Sequence, residues 1–192
     1  MGIIQTHLLK HHYWLDEMVT KKLDEDLKKY YELGKIDEEF VMGAVSKTLG
    51  GECWRSTRNE DIFKHIDFWW KSPKKGVIGI DVKGLNKSSR GDKNFDDTIH
   101  WLEIQNVKGK NGWLKGEAEY IAFRTLTDII FIKREKLLNF ALEKIEGKEI
   151  VYETPKECYV PYKRLKWGRD DLSLKAFNSD LRNLADFCID CK

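Results

Sequence analysis

Two charged residues stand inside an apolar run, in the segment Val77-Ile78-Gly79-Ile80-Asp81-Val82-Lys83. Along a β-strand successive side chains point to opposite faces, so Asp81 and Lys83 project to the same side. A short turn, Ser72-Pro73-Lys74-Lys75-Gly76, precedes the segment, and before it lies the aromatic stretch His65-Ile66-Asp67-Phe68-Trp69-Trp70. Pairing of the two stretches across that turn brings Asp67 to the end of the sheet that carries Asp81 and Lys83. Buried carboxylates need a cation or a strong partner. The flanking Val77, Ile78 and Ile80 therefore argue against an ordinary solvated ion cluster.

The chemistry suited to such a trio is phosphodiester cleavage. That reaction needs an attacking hydroxide, neutralised phosphoryl oxygens and a stabilised leaving group. Mg2+ or Mn2+ on hard oxygen ligands supplies much of this. Asp67 and Asp81 provide two carboxylates, and the backbone carbonyl of Val82 is a candidate third ligand. Lys83 is placed to orient or deprotonate the water, or to stabilise charge on phosphorus.

Charge distribution fits a polyanionic partner better than total charge does. The formal net charge is only +2. From Lys64 to Lys93, however, eight basic residues face three acids, whereas from Asp16 to Glu39 nine acids face five lysines. The positive side chains thus gather around the proposed site, where DNA would approach. Lys87, Arg90 and Lys93 lie in the polar segment 84–97, which reads as a loop, and Lys115 lies in the tight sequence Gly112-Trp113-Leu114-Lys115-Gly116. With His65 and Gln105 they are the candidate nucleic-acid contacts. Trp69, Trp70, Trp101 and Trp113 read chiefly as core residues.

A length of 192 residues suits one domain with a helical extension. Periodicity predicts an N-terminal amphipathic helix over 8–33 stopped at Gly34, and a second from Asp37 to Leu49 ended by Gly50-Gly51. Strands are expected over 61–70, 77–83, 98–107, 119–124 and 128–133, giving a five-stranded sheet. A helix follows from Arg134 to Glu146, then an edge strand over 157–163 and a final helix from Asp170 to Asp190. The expected organisation is an extension (1–36), a core (37–145) and a terminal segment (146–192). The N-terminal helix is a candidate dimerisation element.

No apolar run approaches the roughly 20 residues that span a bilayer, and the N-terminal apolar stretch is broken too early for a signal peptide. A cytoplasmic protein with reduced thiols is expected. Cys188-Ile-Asp-Cys191 is a lone CxxC, and a zinc site needs a second ligand pair.

Asp67 and the Asp81-Val82-Lys83 triplet resemble the motif of the PD-(D/E)XK nuclease superfamily, and the stretch 101–123 resembles the continuation in its phage and bacterial members. The resemblance covers roughly residues 37–145. It implies an α/β, restriction-endonuclease-like fold, with a mixed central sheet flanked by helices, in a bacterial or phage-infected cell. It also implies a Mg2+-dependent endodeoxyribonuclease in which Asp67 and Asp81 bind the metal and Lys83 serves the water. Superfamily members often add an acid from the helix before the first strand. Glu39 is the first choice here and Glu52 the alternative, with Glu103 a further candidate on the third strand. Ile66 replaces the proline that often precedes the first acid. The competing readings are a non-catalytic nucleic-acid-binding module on the same fold and a CxxC-based zinc or redox protein.

Overall fold

The computed structural model describes residues 32–86, 94–164 and 169–191. The chain divides into two compact units, Met1–Ile36 and Asp37–Lys192. The helix expected over residues 8–33 falls almost wholly outside the described residues.

Residues 32–49 are helical (α1). Gly34 therefore does not stop a helix and Asp37 does not start one. Gly50 and Gly51, at φ 71° and 90°, end it in the left-handed region that glycine enters without strain. Asp37 instead ion-pairs with Arg124. A side chain at Gly84 has no room, because its Cβ would lie 1.8 Å from Asp37 Oδ2. That close approach locks α1 against the chain just beyond Lys83.

The segment expected as one strand over 61–70 divides in two. Strand β1 (Glu52–Arg55) is followed by helix α2 (Arg58–Lys64), then by β2 (Phe68–Ser72) and β3 (Gly76–Lys83). A capping box decides the start of α2: the Glu60 N–H donates to Thr57 Oγ1, and the Thr57 N–H donates to Glu60 Oε2 at 2.8 Å. The Thr57-x-x-Glu60 spacing outweighs the aromatic content that suggested a strand. The turn is as expected. Ser72 Oγ accepts the N–H groups of Lys74 and Lys75, and Gly76 has φ 85°.

Strands β4 (Ile99–Gln105), β5 (Tyr120–Arg124) and β6 (Asp128–Lys133) fall where alternation places them, and a 3-10 turn (Trp113–Lys115) precedes β5. Helix α3 (Arg134–Ile145) follows, then β7 (Tyr162–Arg164), which Pro161 confines to a sheet edge. The helix expected from Asp170 to Asp190 is replaced by β8 (Asp171–Phe177), the short helix α4 (Asn178–Leu184) and β9 (Phe187–Asp190). Leu172, Leu174 and Ala176 also fit a two-residue period. Long-range pairing of β8 with both β4 and β7 selects that period over the helical one.

The result is mixed α/β with two sheets rather than one of five strands. A six-stranded sheet runs β1-β2-β3-β5-β6-β9, and a three-stranded sheet runs β4-β8-β7. The β3–β5 pair is parallel and every other strand pair is antiparallel. A parallel pair needs a crossover, and here it contains β4, which leaves the main sheet for the second one.

Each face of the main sheet has its own core. Phe68, Ile78, Ile80, Tyr120, Ala122 and Phe131 pack with Val41 and Val45 of α1. Ile121, Phe123, Ile130 and Ile132 pack on the other side with Leu102 and Leu174 of the second sheet, and with Leu137 and Leu181 of α3 and α4. Strands β7 and β8 are therefore integral to the second sheet and β9 to the first. Among the described residues no helix is long and apolar enough to cross a membrane.

Arg182 ties α4 to β6. Its Nε and Nη2 donate to the Asp128 carboxylate at 2.8 and 2.9 Å. These bonds outweigh burial and hold the Asp128 carboxyl below its ordinary value. A depressed carboxyl pKa gives stability that is present above the unfolded value, near 4, and lost as pH falls through the folded value. Asp128→Ala should cost about 1–3 kcal/mol at pH 7 in urea unfolding. The gap from the wild type should narrow below about pH 4. A gap unchanged between pH 7 and pH 3 contradicts the assignment.

Candidate active site

Asp67 sits at the junction where α2 returns to the sheet. Its N–H donates to the Ile80 carbonyl at 2.9 Å, and its own carbonyl accepts the Ser56 N–H at 3.1 Å. The β2–β3 pairing ends at Phe68 opposite Ile80. Two residues further along β3, Val82 lies past the end of β2 while still paired with Ala122 of β5, and Asp67 Oδ2 accepts the Val82 N–H at 2.6 Å. The N–H and C=O of one strand residue point to the same edge. The Val82 carbonyl therefore opens toward Asp67 as well.

Asp81 lies on the same stretch of β3 and is 2% exposed. Its Oδ1 receives the Lys83 ammonium at 2.6 Å, the same-face pairing expected from the strand. Its Oδ2 is buried and has no hydrogen-bond partner. Burial drives the Asp81 carboxyl well above its ordinary pKa against the pull of Lys83, and the nearby Asp67 carboxylate adds to the rise. For Lys83, burial favours the neutral amine, but Asp81 and Asp67 outweigh it and raise its pKa. The ammonium also lies 4.6 Å from the Trp113 ring centroid, a cation–π contact. Trp113 is held in turn edge-on to Phe123.

Around this trio stand further titratable groups. Burial raises the pKa of Glu103, and Lys83 and the nearby Trp113 backbone oppose the rise. Burial and Asp67 raise Glu38 on α1 and Asp61 on α2. Burial and Lys83 lower His65, while Asp67 pulls the other way.

Of the residues singled out in the sequence, Asp67, Asp81, Val82 and Lys83 converge. His65 joins their periphery, though as the left-handed C-cap of α2 (φ 55°) rather than as a strand residue. Glu39 does not join them. Its side chain is 66% exposed and ion-paired to Arg55 Nη2 at 2.9 Å. The helical acid that acts on Asp67 is its neighbour Glu38, itself held by Arg55 Nη1 at 2.6 Å. Glu52 is exposed on β1, with Lys71 as its cross-strand partner. Gln105 donates to the Asp170 carbonyl. Lys115 is exposed at the end of the 3-10 turn that carries Trp113. Lys87, Arg90 and Lys93 lie outside the described residues.

Sequence reasoning missed Glu38, Asp61 and the partnership of Trp113 with Lys83. The first two could have been found from the Thr57–Glu60 capping box and the phase of α1. The third depends on the crossover and left no local signal.

Among the described residues no three His, Cys, Asp or Glu side chains group to hold a metal ion. The trio offers a different donor set: two carboxylates and a backbone carbonyl, all hard oxygens. That suits Mg2+, which keeps several waters and takes few protein ligands. The partnerless Asp81 Oδ2 fits the same group, since a buried carboxylate oxygen without a donor is costly. The cysteines offer no comparable site. Cys53 on β1 and Cys191 after β9 lie at opposite edges of the six-stranded sheet, roughly 24 Å apart at about 4.8 Å per strand. No family model, curated protein or solved structure matches the chain.

If Asp81 awaits a cation, Mg2+ or Mn2+ should raise the melting temperature of the wild type. A hundredfold excess over Kd stabilises by about 2.7 kcal/mol. Asp81→Asn should abolish the shift. An equal shift in the variant contradicts the ligand assignment.

Proposed function

We propose that this chain is a metal-dependent DNA endonuclease of the PD-(D/E)XK type, on a restriction-endonuclease-like fold. The observation that carries the reading is the half-satisfied Asp81 carboxylate. One oxygen is neutralised by Lys83, and the other is buried without a donor, beside Asp67 and the open edge of β3.

The residues divide the work between binding the ion and serving the water. Asp67, Asp81 and the Val82 carbonyl would hold Mg2+ or Mn2+, which when bound would supply Lewis-acid polarisation of a phosphoryl oxygen and a more acidic water. Lys83 is kept cationic by Asp81 and Asp67, with the Trp113 face against it. It serves the reaction as an ammonium that orients the attacking water and offsets charge gathering on phosphorus. Fixed donors aimed at developing charge are worth roughly 100- to 1,000-fold in rate. Lys115 and the lysines and arginine of the 87–93 segment give the DNA backbone its electrostatic contacts.

The test is Mg2+-dependent nicking of plasmid DNA. Asp67→Asn, Asp81→Asn and Lys83→Ala should each lose at least roughly 100-fold in rate. The two asparagine variants should keep or tighten DNA binding, because repulsion with phosphate falls. Wild-type protein that binds DNA but never cuts it would favour a non-catalytic binding module. Cleavage surviving in Asp81→Asn would exclude the assigned chemistry.

A further inference from the structure

Trp113 is 8% exposed, and its ring centroid lies 4.6 Å from Lys83 Nζ. The same nitrogen reaches Asp81 Oδ1 at 2.6 Å. An aromatic face serves a partly buried ammonium in a particular way. It attracts the charge through its quadrupole, yet it does not neutralise that charge and brings no lone pair to tie down an N–H. A second carboxylate in its place would cancel the charge. An aliphatic side chain would desolvate it without compensation.

The turn that carries Trp113 is built to hold it there. Gly112 and Gly116 bound the 3-10 turn at φ −78° and −72°, backbone that any residue adopts. Space, not conformation, is what these glycines provide. A Cβ on Gly112 would lie 2.6 Å from the Glu103 carbonyl oxygen. One on Gly116 would lie 2.8 Å from the Lys64 carbonyl oxygen and 2.9 Å from His65 Cβ. The turn is thereby pressed against β4 at one end and against the end of α2 at the other.

Hydrogen bonds secure both contacts. The Gly112 N–H donates to the Ile104 carbonyl at 3.0 Å, and the Glu117 N–H donates to the Lys64 carbonyl at 2.7 Å. From the start of α3, Arg134 Nη1 donates to the Leu114 carbonyl at 3.1 Å. Phe123, the β5 partner of Lys83, meets the Trp113 ring edge-on at 6.1 Å. Membership of the core beneath the second sheet accounts for that edge contact. It does not account for a lysine set against the face of the ring, where this core reaches the candidate site.

Asp81 fixes how far the ammonium stands from one carboxylate oxygen, but a single contact leaves the lysine stem free to swing about it. A second hold that spares the charge removes that freedom. We propose that Trp113 is a positioning residue of the candidate active site, whose ring face sets the direction in which Lys83 presents its N–H donors to the attacking water and the phosphoryl oxygens. It acts through Lys83 and touches neither DNA nor metal. This inference rests on the nuclease reading above and concerns the same site.

The experiment replaces Trp113 in the full chain by ring-fluorinated tryptophans, placed at that position alone, and by Phe and Leu. Fluorine withdraws charge from the ring face and leaves its shape almost unchanged. Plasmid nicking in Mg2+ is read as kcat and KM. Stepwise fluorination should lower kcat stepwise, by about tenfold at the tetrafluoro ring, with KM for DNA kept within about twofold. Trp113→Leu should lose at least as much, and Trp113→Phe should recover part of the loss. In the metal-free chain, the ring current should move the Lys83 ε-methylene proton resonances upfield, and Trp113→Leu should return them to their ordinary positions. A wild type that cuts, with kcat unchanged across the fluorine series, overturns the positioning role and leaves the nuclease reading standing. A loss confined to Trp113→Leu does the same, because packing alone then explains it. A rise in KM at constant kcat also overturns the role, since the ring would then meet DNA directly. A wild type that never nicks DNA in Mg2+ sinks the nuclease reading and this inference together.

Discussion

At the Lys83 end of β3 a backbone N–H has no strand to donate to. β2 starts at Phe68, opposite Ile80, so Val82 lies beyond its end, and the Ile66 N–H turns away to the Glu60 carbonyl. The Asp67 carboxylate takes the donor that the missing strand leaves over. This one substitution of a side chain for a ladder bond does three things. It closes the β2 side of β3 where the β2–β3 pairing stops, it fixes the Asp67 carboxylate beside Asp81, and it leaves the Val82 carbonyl facing the same gap. Remove it, and the two acids no longer share an orientation.

The second constraint is the burial of Asp81. Carboxylates taken out of water must be paired, protonated or bound to a cation. Lys83 answers half of that demand, and the crossover between β3 and β5 shapes the rest. Because β4 leaves the main sheet and returns through the 3-10 turn, Trp113 comes to lie over Lys83 and Glu103 comes within its field. The second sheet thus closes the face of the site that α1 does not reach.

Much of this was legible in the chain. The alternation in Gly76–Lys83, the Ser72–Gly76 turn, β4 to β6 and α3 follow from period and punctuation, which local sequence states directly. The Asp81–Lys83 pair followed from the strand period alone. Other parts were not legible, for physical reasons. Residues 171–177 satisfy both a two- and a 3.6-residue period, and only pairing with β4 and β7 decides between them. Residues 61–64 open the aromatic-rich stretch 61–70 expected as one strand, but their fate is set by Thr57 and Glu60. Choosing Glu38 over Glu39 required the phase of α1 against Arg55, a contact 16 or 17 residues away in sequence. The partition into two sheets is a tertiary outcome with no local signature.

Anomalous scattering from crystals grown with Mn2+ tests the central claim most directly. The account predicts one strong peak bounded by Asp67, Asp81 Oδ2 and the Val82 carbonyl, with the Lys83 ammonium still on Asp81 Oδ1. A structure in which Mn2+ is absent from that gap, or in which Asp81 Oδ2 has gained a protein donor instead, would contradict it.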